Sequence, residues 1–346
     1  MIKKILPFLF LAILIVWLYF PIFSTFFQQD EWSAFSGYYF SGGDFVKYSL
    51  ESFIPDPGHY VPLAKILFAV SFELFKLDFW KWSVLSLIWH IANSSLVYIL
   101  AIQIFKKKIP AFFSAILFAV YASGHQATSW VVADGATHGS TFFVLLSLIL
   151  FFGSQFSLSL ISLLISLLFK EASIGVFLFI PTIIFFTNYV NSRKLINKHM
   201  LWFVGIGFLY FIFRYLTFLG IFSDVKAPVI TESQSVNEIF VNLATFPMKG
   251  IVQTLVPQHI LLELSKFIAV KLPDGMAGLP GTNFFDNFYL KYVFGVLIWA
   301  IFGLVSIILV LLLKHKNKTV ITIGIFSLFF VAINSLIYAL SPGRSG

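Results

Sequence analysis

What constrains this chain most is a recurrence: apolar stretches about as long as a bilayer is thick, with Lys and Arg gathered into four short clusters between them. Residues 6–23, 82–105, 201–219, 290–313 and 319–340 each approach the roughly 20 residues that cross a hydrocarbon core as a helix. Shorter apolar runs at 109–122, 139–153, 156–169 and 172–188 read as short or tilted spans, the middle two separated by Gly153-Ser154-Gln155. Only 11% of the 346 residues are charged and 59% are hydrophobic, whereas soluble domains carry roughly 25% charged residues. The first run follows Lys3 and Lys4, lacks a small-residue cleavage site and reads as an uncleaved anchor. With no Cys, disulfide frameworks, thiolate metal sites and cysteine nucleophiles are excluded.

The net charge of +8 is unevenly placed. Lys3/Lys4, Lys106/Lys107/Lys108, Arg193/Lys194/Lys198 and Lys314/Lys316/Lys318 hold 11 of the basic residues and no acid. The positive-inside rule puts all four clusters in the cytoplasm, so an even number of crossings must separate neighbours. The basic charge is thus topological and implies no nucleic-acid partner. Between Lys4 and Lys106 there are three apolar stretches, so one does not cross. In residues 61–76, Lys65, Ala69, Glu73 and Lys76 form a polar stripe with Phe68, Val70, Phe72 and Phe75 elsewhere, the pattern of an interfacial helix. The expectation is an all-α, polytopic membrane bundle of nine spans, N-terminus cytoplasmic, with all 15 Asp and Glu on the outer side or in outer halves of spans. Two long outer segments follow, 24–81 with interfacial helices and 220–289, within a single domain 1–346 that ends just after a span, as a truncated chain would. The plasma or inner membrane is the expected location.

Chemistry in such a chain must come from few residues. Asp30 and Glu31 lie seven residues after the first run, beside Trp32, where carboxylates can act as a general base or suit a helix N-terminus. His59 precedes the interfacial helix in Gly58-His59-Tyr60-Val61-Pro62-Leu63. His90, Asn93 and Ser94 form a polar cluster inside a span and should face the bundle or a cavity. Lys170 and Glu171 stand between successive apolar runs; a central charge costs about 2.5–3.5 kcal/mol on insertion, so pairing or a wet cavity is expected. Arg214, near the outer end of its span, is in reach of an anionic head group or of Glu171. His125, Asp134 and His138 share one outer loop, but their spacing matches no strong ligand motif, and no metal site is assigned.

These elements together resemble the GT-C superfamily of membrane glycosyltransferases, in the branch of protein O-mannosyltransferases and aminoarabinose transferases. Asp30-Glu31 stands where that family has an acid pair after the first span. His59 through Leu63 is similar to its His/Arg/Lys-x-Pro-Leu start of an interfacial helix, with one residue inserted. His90-Ile91-Ala92-Asn93 is similar to its His-x-x-Asn element, and Lys170-Glu171 to the Lys-Glu opening a later span. Leu117 to Ala122 with Trp130 fits a further loop motif, although Gln126 replaces the expected Glu. The resemblance implies inverting transfer of a sugar from a polyprenyl-phosphate donor to an acceptor hydroxyl of a protein, glycolipid or polysaccharide at the outer face. It further implies Asp30 as base with Glu31 as alternate. Lys170, Arg214 and His59 become phosphate contacts, and Glu171, His90 and Asn93 join the substrate region. A cofactor is not specified, and a divalent metal stays open.

Two other classes compete. An O-antigen polymerase or ligase also combines many spans with a large late loop, but it would place essential Arg and His in 220–289, where His259 is the sole His and Arg is absent. A lipid or solute transporter would show internal repeats and broken helices with central charges, and no fixed-period repeat is evident.

Overall fold

The computed structural model describes residues 2–55, 59–121, 128–132, 134–190, 196, 198–219, 221, 236–256, 258–269, 271, 288–314 and 330. Among them every regular element is helical and there is no strand. The chain divides into two compact units, Met1–Val229 and Ile230–Gly346.

In the first unit α1 (Ile2–Tyr19) runs into a 3₁₀ turn, Phe20–Ser24. Three short helices follow: α2 (Gln29–Phe40), α3 (Phe45–Glu51) and α4 (Pro62–Phe75). Then come α5 (Phe79–Phe105), α6 (Lys108–Val120), α7 (Asp134–Phe152), α8 (Phe156–Phe169), a 3₁₀ turn Glu171–Gly175, α9 (Val176–Val190) and α10 (Lys198–Phe218). The second unit holds α11 (Val236–Leu255), α12 (Gln258–Ala269) and α13 (Phe288–Lys314), with α11 and α12 packed on α13 through Val252, Leu261, Phe294 and Ile298.

Among the described residues, four helices are long and apolar enough to cross a membrane, by length and composition: Ile5–Ser24, Phe79–Phe105, Gly135–Phe152 and Lys198–Thr217. Lys108–Val120, Phe156–Phe169, Glu171–Phe185 and Val293–Ser306 are shorter apolar helices. Eight of the nine expected apolar stretches thus coincide with described helices, and 319–340 lies outside the described residues apart from Phe330. The run expected at 139–153 is longer than its hydropathy indicates, because its helix starts at Asp134 with the polar turns Thr137-His138-Gly139-Ser140.

Helix pairing follows small side chains. α6 presents Ala111, Ala115 and Ala119, all fully buried at i, i+4 and i+8, against α1 and α5. α8 buries Ser159, Ser162 and Ser166 at helical spacing, and the Ser147 hydroxyl of α7 donates to the Ser159 carbonyl at 2.8 Å. Such small residues let backbones approach closely in an apolar medium. Gly139 marks a tight point: a Cβ there would collide with the Phe169 ring at the end of α8.

The first connecting segment is folded around aromatic rings. Phe35, Tyr38, Phe68 and Trp82 are buried together with Val131 and Val132, with ring centroids mostly 5–6 Å apart in edge-on or tilted contact. This corrects one detail of the expected stripe on α4: Ala69 is fully buried rather than exposed, its lack of bulk allowing α4 to lie close to α7 and α8. Glu73 and Lys76 do face outward and pair at 2.6 Å, while the buried Tyr38 hydroxyl of α2 donates to Glu73 Oε1 at 2.7 Å. The Lys76 ammonium first, and Tyr38 second, hold the Glu73 carboxyl below its usual range. Burial and the Glu73 carboxylate push the Tyr38 phenol up to about 12.

A depressed folded-state carboxyl stabilises the fold above its unfolded pKa of about 4.3, and that stabilisation disappears as pH falls through the folded value. Melting of wild type and Glu73→Gln should therefore differ by a constant gap near neutrality that closes in acid. A gap that widened as pH fell would contradict the α2–α4 tie.

Candidate functional site

Four of the expected site residues, His59, Lys170, Glu171 and Arg214, lie around a break between two apolar helices. α8 stops at Phe169 because Lys170 turns extended (φ −160°, ψ 129°), and the 3₁₀ turn begins at Glu171. The two charges thus sit at a joint between helices, where neighbouring segments can reach them. Glu171 Oε1 accepts from the Tyr60 backbone N–H at 2.8 Å and from an Arg214 guanidinium nitrogen at 2.8 Å. Its Oε2 lies 3.9 Å from His59 Nδ1. The Glu171 and Arg214 side chains are 28% and 17% exposed, so their contact is partly shielded, while His59 is 83% exposed and adds little.

Arg214 lies about one turn before the end of α10. Beside it the Tyr60 ring meets Phe213 edge-on at 5.3 Å. Burial pushes the Tyr60 phenol up, with the Arg214 charge opposing. Lys170 Nζ donates to Thr137 Oγ1 at 2.8 Å, tying the joint to the first turns of α7. His59, Lys170, Glu171 and Arg214, drawn from three separate stretches of sequence, therefore form one cluster.

Glu31 has a different setting. It is fully buried, its Oε1 accepting from the Val132 N–H at 2.8 Å and its Oε2 from the Gln28 N–H at 2.6 Å. One carboxylate thus satisfies an orphan donor at the start of α2 and fastens the 128–132 segment. A base needs a lone pair aimed at its substrate, and both Glu31 oxygens are engaged with backbone, which fits an anchor better. Glu31→Ala should lower stability by about 2–4 kcal/mol, since two backbone donors lose a charged acceptor. Glu31→Gln keeps one acceptor and should lose about half; equal stability of all three proteins in denaturant titrations would refute the clasp. Asp30 is the second residue of α2, and its side chain lies outside the described residues.

His90 and Asn93 belong to a buried seam between α5, α6 and α7. The Asn93 amide donates to His138 Nδ1 at 3.1 Å and to the His138 carbonyl at 3.2 Å. With Nδ1 accepting, the proton sits on His138 Nε2, which faces Thr128 Oγ1 at 3.5 Å. His90 Nε2 donates to the Ala119 carbonyl at 3.0 Å, and Ser94 donates to the His90 carbonyl. His125 lies outside the described residues, as does the side chain of Asp134, and no group of three metal-ligating residues occurs among those described.

α7 links all of these elements. Val132 just before it binds Glu31, Thr137 binds Lys170, and the next residue, His138, binds Asn93. Sequence reasoning missed Thr137 and the Tyr60 backbone. A threonine in a small-residue turn carries no signal of its own, and a main-chain N–H carries none at all. Comparison with protein-family models, with curated proteins and with solved structures finds no match to this chain.

Proposed function

We propose that this chain is a multispan membrane glycosyltransferase of GT-C type, crossing the bilayer nine times and moving a sugar from a polyprenyl-phosphate donor to an acceptor hydroxyl at the non-cytoplasmic face. The observation that carries this reading is the meeting of Glu171 with Arg214 and the His59–Tyr60 segment, beside Lys170. The His59–Tyr60 segment and Glu171 lie more than 100 residues apart in sequence and meet, with Arg214, in one partly shielded cluster.

Such a cluster suits a phosphate leaving group. As the anomeric carbon–oxygen bond to the carrier breaks, the electron pair goes to phosphate oxygen, and Lys170 and Arg214 stabilise the charge that develops there. Asp30 takes the proton from the acceptor hydroxyl as it forms the new glycosidic bond. Glu171 orients Arg214, and Glu31 holds the start of α2, the helix that carries Asp30. A metal has no assigned role in this scheme.

The test is transfer of labelled sugar from polyprenyl phosphate in membranes carrying the full chain, with protein, glycolipid and polysaccharide acceptors offered in turn. Incorporation that depends on both Asp30 and Arg214 supports the proposal. Incorporation indifferent to both, at equal expression, removes it.

A further inference from the structure

A groove of about 850 Å³ opens between α1, α5 and α6, within the range of roughly 300–1,000 Å³ in which proteins hold small ligands. Its walls are hydrocarbon and aromatic: Leu6, Phe8 and Phe10 from α1, Ile102 from α5, and Ile109 and Phe112 from α6. Two polar groups interrupt this lining. Lys108 is exposed at the rim, and Gln103 borders the groove with its amide oxygen buried and without a hydrogen-bond partner among the described residues.

The charge on the groove's own helices is of one sign. The three helices that form it, Ile2–Tyr19, Phe79–Phe105 and Lys108–Val120, contain no Asp or Glu. Lys106, Lys107 and Lys108 turn the chain from α5 into α6 at this end, with Lys106 in the left-handed region (φ 54°), and Lys3 and Lys4 open α1. The turn sets three exposed lysines side by side, with Lys108 at the groove rim.

We propose that this groove binds an anionic diacyl phospholipid of the surrounding bilayer, its acyl chain along Phe8, Phe10 and Phe112 and its phosphate at Lys106–Lys108. A hydrocarbon chain matches the apolar walls, a phosphate matches a lysine cluster on helices that carry no acid, and a head-group donor matches the Gln103 acceptor. The occupant is distinct from the lipid-linked sugar donor proposed above. Ser86 of α5 donates to the carbonyl of Thr128 at the start of the 128–132 segment, and Gln103 lies 17 residues further along the same helix, about 25 Å away at 1.5 Å per residue.

The full chain, purified in neutral detergent, is mixed with phosphatidylglycerol or phosphatidylcholine of identical chains, and retained lipid is counted by native mass spectrometry. Wild type should retain phosphatidylglycerol preferentially. Each lysine near an anionic lipid surface contributes about fivefold, so the triple variant Lys106→Gln, Lys107→Gln, Lys108→Gln should lose at least about tenfold of that preference while still binding phosphatidylcholine. Ile109→Trp, at an exposed position on the groove wall, should fill the space and lower retention of both lipids. Helical content and melting in detergent establish that each variant is folded. Equal retention of the two lipids by wild type overturns the proposal, as does a preference that survives the lysine substitutions. So does occupation of the face by a second copy of the chain, seen as a lipid-free dimer.

Discussion

An Asp30→Asn variant, present in membranes at the wild-type level, is expected to lose sugar transfer by about 10²–10⁴-fold, the contribution typical of a positioned general base. The substitution keeps the shape and removes the basic lone pair, so donor binding should persist while turnover falls. Glu31→Gln provides the contrast. Both Glu31 oxygens accept backbone hydrogen bonds, so its loss should act through stability and leave a larger residual rate in the folded fraction. If Glu31→Gln abolished transfer with no loss of stability and Asp30→Asn retained it, the roles of the two acids would have to be exchanged.

The second large effect is expected at Arg214. Arg214→Ala leaves the partly buried Glu171 carboxylate without its cation, and about 1–3 kcal/mol of stability should go with it. Transfer should fall further than stability does, by about 10²–10³-fold, if the guanidinium also stabilises a departing phosphate. The double variant Arg214→Ala, Glu171→Ala separates the two roles, because removing both charges restores melting towards wild type without restoring a phosphate contact. Recovery of transfer together with stability would reduce Arg214 to a structural brace. Arg214→Lys should stay below wild type as well, since a lysine has one ammonium in place of a planar fork.

Much of the helical plan was legible because hydropathy has a length scale. Runs at 82–105, 156–169 and 201–219 correspond to α5, α8 and α10 within a few residues at each end. The reach of Arg214 to Glu171 was also open to anticipation, since two charges in apolar surroundings must find partners. Local polarity misled at the start of α7, where Thr137, His138 and Ser140 interrupt the apolar pattern yet lie inside the helix. His138 satisfies Asn93 across the bundle, and no single-segment pattern reports a partner 45 residues away. The alternatives for Glu31 were legible as types, helix start or base. Its link to the Val132 backbone was not, because it joins two main-chain segments about 100 residues apart.

α6 and α8 are 13 and 14 residues long, about 20 Å at 1.5 Å per residue, against roughly 30 Å of hydrocarbon in an ordinary bilayer. As crossings, they would oblige the lipid around each of them to pinch inward, drawing the two aqueous boundaries closer together there. A long-tailed carrier would then meet its shallowest exit from the membrane there, and reconstitution into thin or thick bilayers becomes a dial on how readily the protein accommodates it.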